Sequence, residues 1–164
     1  MSRSAFRQGA RRTAGFTLVE LMVVLAVLTI MLTLAAPSFT SFLRSAELST
    51  AANSFVASLN AARSEAMKRN LPAMVMPLES GRRDWSQGFV AFVDVDRDGA
   101  YNESVDITVL RQPISGTFLT VEGNGTATAK PAYVRYDGSG FARKINGSAS
   151  NMSLSFARND VPPA

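Results

Sequence analysis

The sequence predicts an α+β fold in which a long N-terminal helix, its first half transmembrane and its second half amphipathic, packs on a small, mainly antiparallel β-sheet head. Three observations lead there. Between residues 16 and 36 the only charge is Glu20 and the interior polar side chains are Thr29 and Thr33, and a helix needs about 20 largely apolar residues to cross a hydrocarbon core. Apolar or small residues then recur at Ala52, Phe55, Val56, Leu59, Ala62 and Ala66 with the spacing of one helix face. After Pro72 the pattern changes to short runs rich in Val, Phe and Met between turn residues, as in the strands of a sheet.

Taken in order, residues 1–15 read as a leader. Arg3, Arg7, Arg11 and Arg12, with no acid among them, hold this segment in the cytoplasm under the positive-inside rule, so that everything after the apolar run is exported. An ordinary secretory signal has a shorter apolar region and a small-residue cleavage site behind it. Here the small residue, Gly15, comes first, and a cut there leaves the helix attached. Residues 16–37 are the transmembrane segment, where Thr29 and Thr33 can return their hydroxyls to the preceding turn. Pro37 removes a backbone donor and kinks the helix.

Residues 38–70 continue the helix, with Asn53, Ser54, Asn60, Ser64 and Lys68 on a wet face opposite the apolar stripe. It should stop near Asn70, because Leu71 precedes Pro72. Residues 71–164 form the head. Strands are expected at 73–78, 88–94 and 106–112, the last two joined as a hairpin by the turn residues 94–99. Further candidates lie at 118–121, 132–136, 140–144 and 152–157, separated by Gly-rich stretches at 123–128 and 137–140. The tail, 158–164, is expected to fray.

The segment Gly15-Phe16-Thr17-Leu18-Val19-Glu20 resembles the class III signal of type IV prepilins and type II secretion pseudopilins. The resemblance implies that a membrane prepilin peptidase cuts after Gly15 and methylates the new amine of Phe16. Two further runs are similar to those of the FimT/GspH group of minor pilins: Ala61-Ala62-Arg63-Ser64-Glu65-Ala66-Met67-Lys68-Arg69, and Trp85-Ser86-Gln87-Gly88-Phe89-Val90-Ala91-Phe92-Val93-Asp94, where Phe89 replaces the usual second Trp. The likeness covers roughly residues 15–112. It implies a pilin-like fold, a single-pass inner-membrane protein with a periplasmic head, and partners among other minor pilins or pseudopilins. The function it implies is assembly or priming of a type IV pilus or type II secretion pseudopilus.

Composition narrows the chemistry. The 17 basic and 13 acidic residues give a net charge of +4, but loss of the four leader arginines leaves a balanced mature chain. There is no Cys and no His, which removes disulfides, thiolate nucleophiles, imidazole acid–base catalysis and the usual zinc ligands. A non-enzymatic protein is expected.

Three constellations can carry function. A lone carboxylate in a membrane segment costs about 2.5–3.5 kcal/mol on insertion scales and is usually functional, which singles out Glu20. By the resemblance, Glu20 pairs with the Phe16 amine of a neighbouring subunit; the alternative is a carboxylate one turn from the helix end that snorkels to the interface. Asp94, Asp96, Asp98 and Gly99 satisfy the first half of a calcium-loop pattern, but the twelfth position is Val105, and Glu103 or Asp106 can replace the missing acid only by a changed loop path. Calcium there is the one cofactor the sequence suggests. Arg82, Arg83, Trp85, Arg135, Arg143, Lys144 and Arg158 offer basic groups with an aromatic, as in proteins that hold phosphates and stack bases. Some FimT-like minor pilins are DNA receptors in natural transformation, so DNA uptake is the alternative function, with Arg82, Arg83, Arg143 and Lys144 as its candidates. The Gly-Arg-x-Arg element of those receptors has no counterpart here, Gly140-Phe141-Ala142-Arg143-Lys144 being a loose analogue.

Overall fold

The computed structural model describes residues 15–79, 81, 83–114 and 117–161. The chain falls into two units, residues 1–41 and 42–164, and helix α1, Leu18–Arg69, contributes to both. In the first unit the apolar side chains of α1 are exposed on every face, from Leu18 at 74% to Leu34 at 72%. The expected hydroxyl returns are present: Thr29 donates to the Leu25 carbonyl and Thr33 to that of Ile30, both at 2.8 Å. Each hydroxyl is thereby satisfied without water. Among the described residues, α1 is the one helix long and apolar enough to cross a membrane.

The second unit is built on the other half of α1. Ala51, Phe55, Ser58, Ala62 and Ala66 are its buried positions, with Leu59 partly buried beside them. This corrects the expected stripe at Val56, which is 54% exposed; the buried line advances by three or four residues at each step, and Val56 falls just outside it. Ser58 is tolerated in the core because its hydroxyl donates to the Ser54 carbonyl at 2.8 Å. The helix ends where expected. Asn70 takes a left-handed φ of 51°, and Leu71 N–H reaches back to the Ala66 carbonyl at 3.3 Å, the closing bond of a Schellman motif.

A four-stranded antiparallel sheet lies beside it, with β1 at Ala73–Pro77, β2 at Gly88–Val93, β3 at Ile107–Pro113 and β5 at Val134–Tyr136, in the order β3-β2-β1-β5. β4, Leu119–Gly123, pairs with β6, Leu154–Arg158, in a separate two-stranded sheet. Strands β1 and β2 are buried along their whole length, so they read as continuous apolar runs rather than alternating ones. Alternation survives in what each side touches. Ala73, Val75, Phe89, Ala91 and Val93 join the core containing Phe55, Ala62 and Ala66, while Met74, Met76, Val90 and Phe92 pack with Tyr133.

Phe55 is the hub of the helix-facing core. Its ring meets Trp85 at 5.4 Å, Phe89 at 5.2 Å and Phe156 at 5.5 Å between centroids. It therefore ties α1 to both sheets.

Two expectations about the head fail. Residues 140–144 form no strand and contribute only the isolated bridges Tyr136↔Ala142 and Arg143↔Ala149. The Asp137 carboxylate and carbonyl close a tight turn, accepting from Ser139, Gly140 and Phe141 N–H, and a second turn follows at Gly147 N–H to the Lys144 carbonyl; too few residues remain between them for a ladder. The tail is also anchored further than expected. Arg158 closes β6, and Asp160 binds both Arg158 and Arg44.

Candidate functional site

The N-terminal constellation sits at the mouth of α1. Thr17 precedes the helix, and its hydroxyl accepts from Glu20 N–H at 3.2 Å, satisfying one of the donors that a helix start leaves open. Glu20, in the first turn, lies at the favourable end of the helix dipole. Thr17-x-x-Glu20 has the spacing of a capping box, a helix-start signal carried by the sequence itself. Phe16 is 79% exposed. Among the described residues, a Cβ at Gly15 would meet nothing within 4 Å. Arg3, Arg7, Arg11 and Arg12 lie outside the described residues.

A second constellation closes the β2–β3 hairpin. Asp94, Asp96 and Asp106 each place a carboxylate oxygen within 4.8 Å of the other two. Asp98 is not one of the three and caps its own turn, accepting from Ala100 N–H at 2.7 Å; Glu103 is exposed. Asp106 accepts from Val95 N–H at 3.0 Å and Asn102 N–H at 2.8 Å. Asp94 is 1% exposed. Its Oδ2 accepts from Gly99 N–H at 3.2 Å, while Oδ1 is buried with no hydrogen-bond partner. Burial pushes the Asp94 carboxyl up from its ordinary range; the backbone N–H groups of Gly99 and Arg97 oppose this, and the neighbouring Asp106 and Asp98 charges add to it.

Among the described candidates, Arg135, Arg143 and Lys144 sit together, while Arg83 lies beyond the other end of β1. Arg82 lies outside the described residues, and Arg83 is exposed in the loop beyond Pro77, its N–H donating to Glu79. Arg143 follows Ala142, which bridges Tyr136, itself paired with Ala73 at the other end of β1. Arg143 is paired with Asp137 at 3.1 Å, Arg135 donates to the Lys144 carbonyl at 3.3 Å, and Lys144 is exposed. Trp85 corrects the expectation of a stacking platform. It is 3% exposed, and its indole N–H donates to the Ala127 carbonyl at 2.9 Å, so neither face is open to a base.

A glycine-led motif opening an exposed apolar helix, whose second half carries an antiparallel sheet, defines a pilin-class subunit, and residues 10–36 match the Prokaryotic N-terminal methylation motif. That motif implies processing by prepilin peptidase. The chain belongs to the family described as Type II transport protein GspH, which it matches over residues 51–163. It is also similar to the type IV minor pilin FimU of Pseudomonas aeruginosa, at 18% identity, 72% coverage of this chain, 77% of that chain and a TM-score of 0.49. No functionally curated relative matches it. The family is one of structural pilins and pseudopilins, whose members assemble with other pilins.

Proposed function

We propose that this protein is a minor pilin or pseudopilin that helps to assemble or prime a type IV pilus or a type II secretion pseudopilus. The leader, residues 1–15, stays cytoplasmic; residues 16–37 anchor the chain in the inner membrane; residues 38–70 and the head, 71–164, stand in the periplasm. The observation that carries this reading is the first half of α1, with apolar side chains exposed all round and one carboxylate, Glu20, in its first turn. An apolar surface of that kind needs lipid or the equivalent helices of other subunits to cover it.

Glu20 then neutralises the new Phe16 amine of a neighbouring subunit, an ion pair in a low-dielectric setting where removing one partner leaves the other uncompensated. Glu20→Ala is expected to be inserted and cleaved like the wild type yet to be missing from sheared fibres and from complexes with other minor pilins, as read by immunoblot. Normal incorporation of that variant would leave Glu20 as an interfacial carboxylate and remove the pairing from the account.

A further inference from the structure

We infer that Asp94, Asp96 and Asp106 form a calcium site at the junction of β2 and β3. Val93 and Ile107 are the last residues paired across these strands, so Asp94 and Asp106 leave the ladder side by side, and the turn returns Asp96 to them. Oxygens bound to one calcium at 2.3–2.6 Å can be no more than about 4.6–5.2 Å apart. The three carboxylates, within 4.8 Å of one another, are thus close enough for a single ion to reach all of them.

The second observation is the orphaned oxygen of Asp94. A buried carboxylate oxygen with no hydrogen-bond partner carries a desolvation cost, here at Asp94 Oδ1, and among the described residues no Lys or Arg forms an ion pair with Asp94, Asp96 or Asp106. A bound cation would satisfy Asp94 Oδ1 and offset the repulsion among the three acids. The oxygens of Asp106 that accept from Val95 and Asn102 retain further acceptor capacity. Asp96 is exposed and offers the ion its way in. In the sequence the acid arrives one residue after the calcium-loop pattern requires it, at Asp106 instead of Val105, because the hairpin register rather than a helix presents it. Three carboxylates around one point favour calcium over magnesium, which usually takes one or two and keeps its waters. The site is independent of the assembly reading, since it lies wholly in the β2–β3 hairpin.

The test uses the full chain in detergent, stripped with EDTA and exchanged into metal-free buffer. Calorimetric titration with calcium chloride is expected to show one ion bound with a midpoint of about 10⁻⁴–10⁻³ M, and 10 mM calcium should raise the thermal midpoint by about 4–10 °C. Asp94→Asn and Asp96→Asn should each weaken binding at least tenfold, whereas Asp98→Asn should leave it unchanged. Asp96→Asn alters an exposed side chain and guards against a variant that merely fails to fold. Absence of both heat and midpoint shift at 10 mM calcium would overturn the inference, as would binding that survives both substitutions. Magnesium binding as tightly as calcium would overturn the choice of ion.

Discussion

Replacing Phe55 with Ala probes the contact on which the head is built. The ring is 4% exposed and meets Trp85 and Phe89 edge to face and Phe156 at a tilt, so truncation leaves a cavity between α1 and both sheets. Burying and then deleting such a ring costs about 3–5 kcal/mol, of which each aromatic pair supplies about 0.5–1.5 kcal/mol beyond its area. Against a total stability of about 5–15 kcal/mol, a loss of that size would lower the thermal midpoint on the order of 10–25 °C. Val56→Ala, one residue away and 54% exposed, should change it by no more than about 0.5 kcal/mol. Thermal and denaturant unfolding of the full chain in detergent, followed by Trp85 fluorescence, measures both variants. A Phe55→Ala loss below about 1 kcal/mol, or one equal to that of Val56→Ala, would refute the packing of α1 on the sheets.

Asp160 joins β6 to α1 through Arg158 and Arg44, and those two guanidiniums hold its carboxyl well below the usual carboxylate range. A depressed folded pKa gives stability that is fully present above the unfolded Asp value of about 3.9 and is lost as pH falls through the folded value. Asp160→Asn should therefore be less stable than wild type at pH 7, with the gap narrowing below about pH 4; an equal gap at pH 3 would refute the ionic link. The processed chain should bind duplex DNA weakly or not at all near physiological salt, because its charge is balanced, Trp85 is buried and Arg143 is paired. Micromolar affinity that falls steeply with salt and vanishes in Arg143→Ala/Lys144→Ala would promote the DNA-uptake alternative, and loss with Arg82→Ala/Arg83→Ala instead would place binding in the loop before Trp85.

What the sequence made legible follows from how local each signal is. The start of α1, its stop at Asn70 and the β2–β3 hairpin depend on neighbouring residues, and Gly15, Leu71-Pro72 and the Asp-rich turn announce them. The packed face of α1 was legible only in part. Phe55, Ala62 and Ala66 belong to it, but Val56 and Ser58 exchange places relative to their polarity, because helix phase against the sheet is a tertiary property and Ser58 can satisfy itself on its own backbone. The pairing of β4 with β6 joins segments about 30 residues apart that no short motif marks. Asp106 joins Asp94 and Asp96 through strand register, which a linear loop pattern does not encode. Trp85 next to basic residues looked like a stacking site; its burial against Phe55 is set by the helix that covers it.

The central claim, that the chain is processed as a pilin-class subunit, rests on the bond between Gly15 and Phe16. Mass spectrometry of the protein recovered from membranes containing active prepilin peptidase measures that bond directly. The mature chain should begin with N-methylated Phe16 and lack residues 1–15, and a Gly15→Leu variant should keep them. An intact leader on the wild-type protein in those membranes, or an unmethylated terminus elsewhere in the chain, would contradict it.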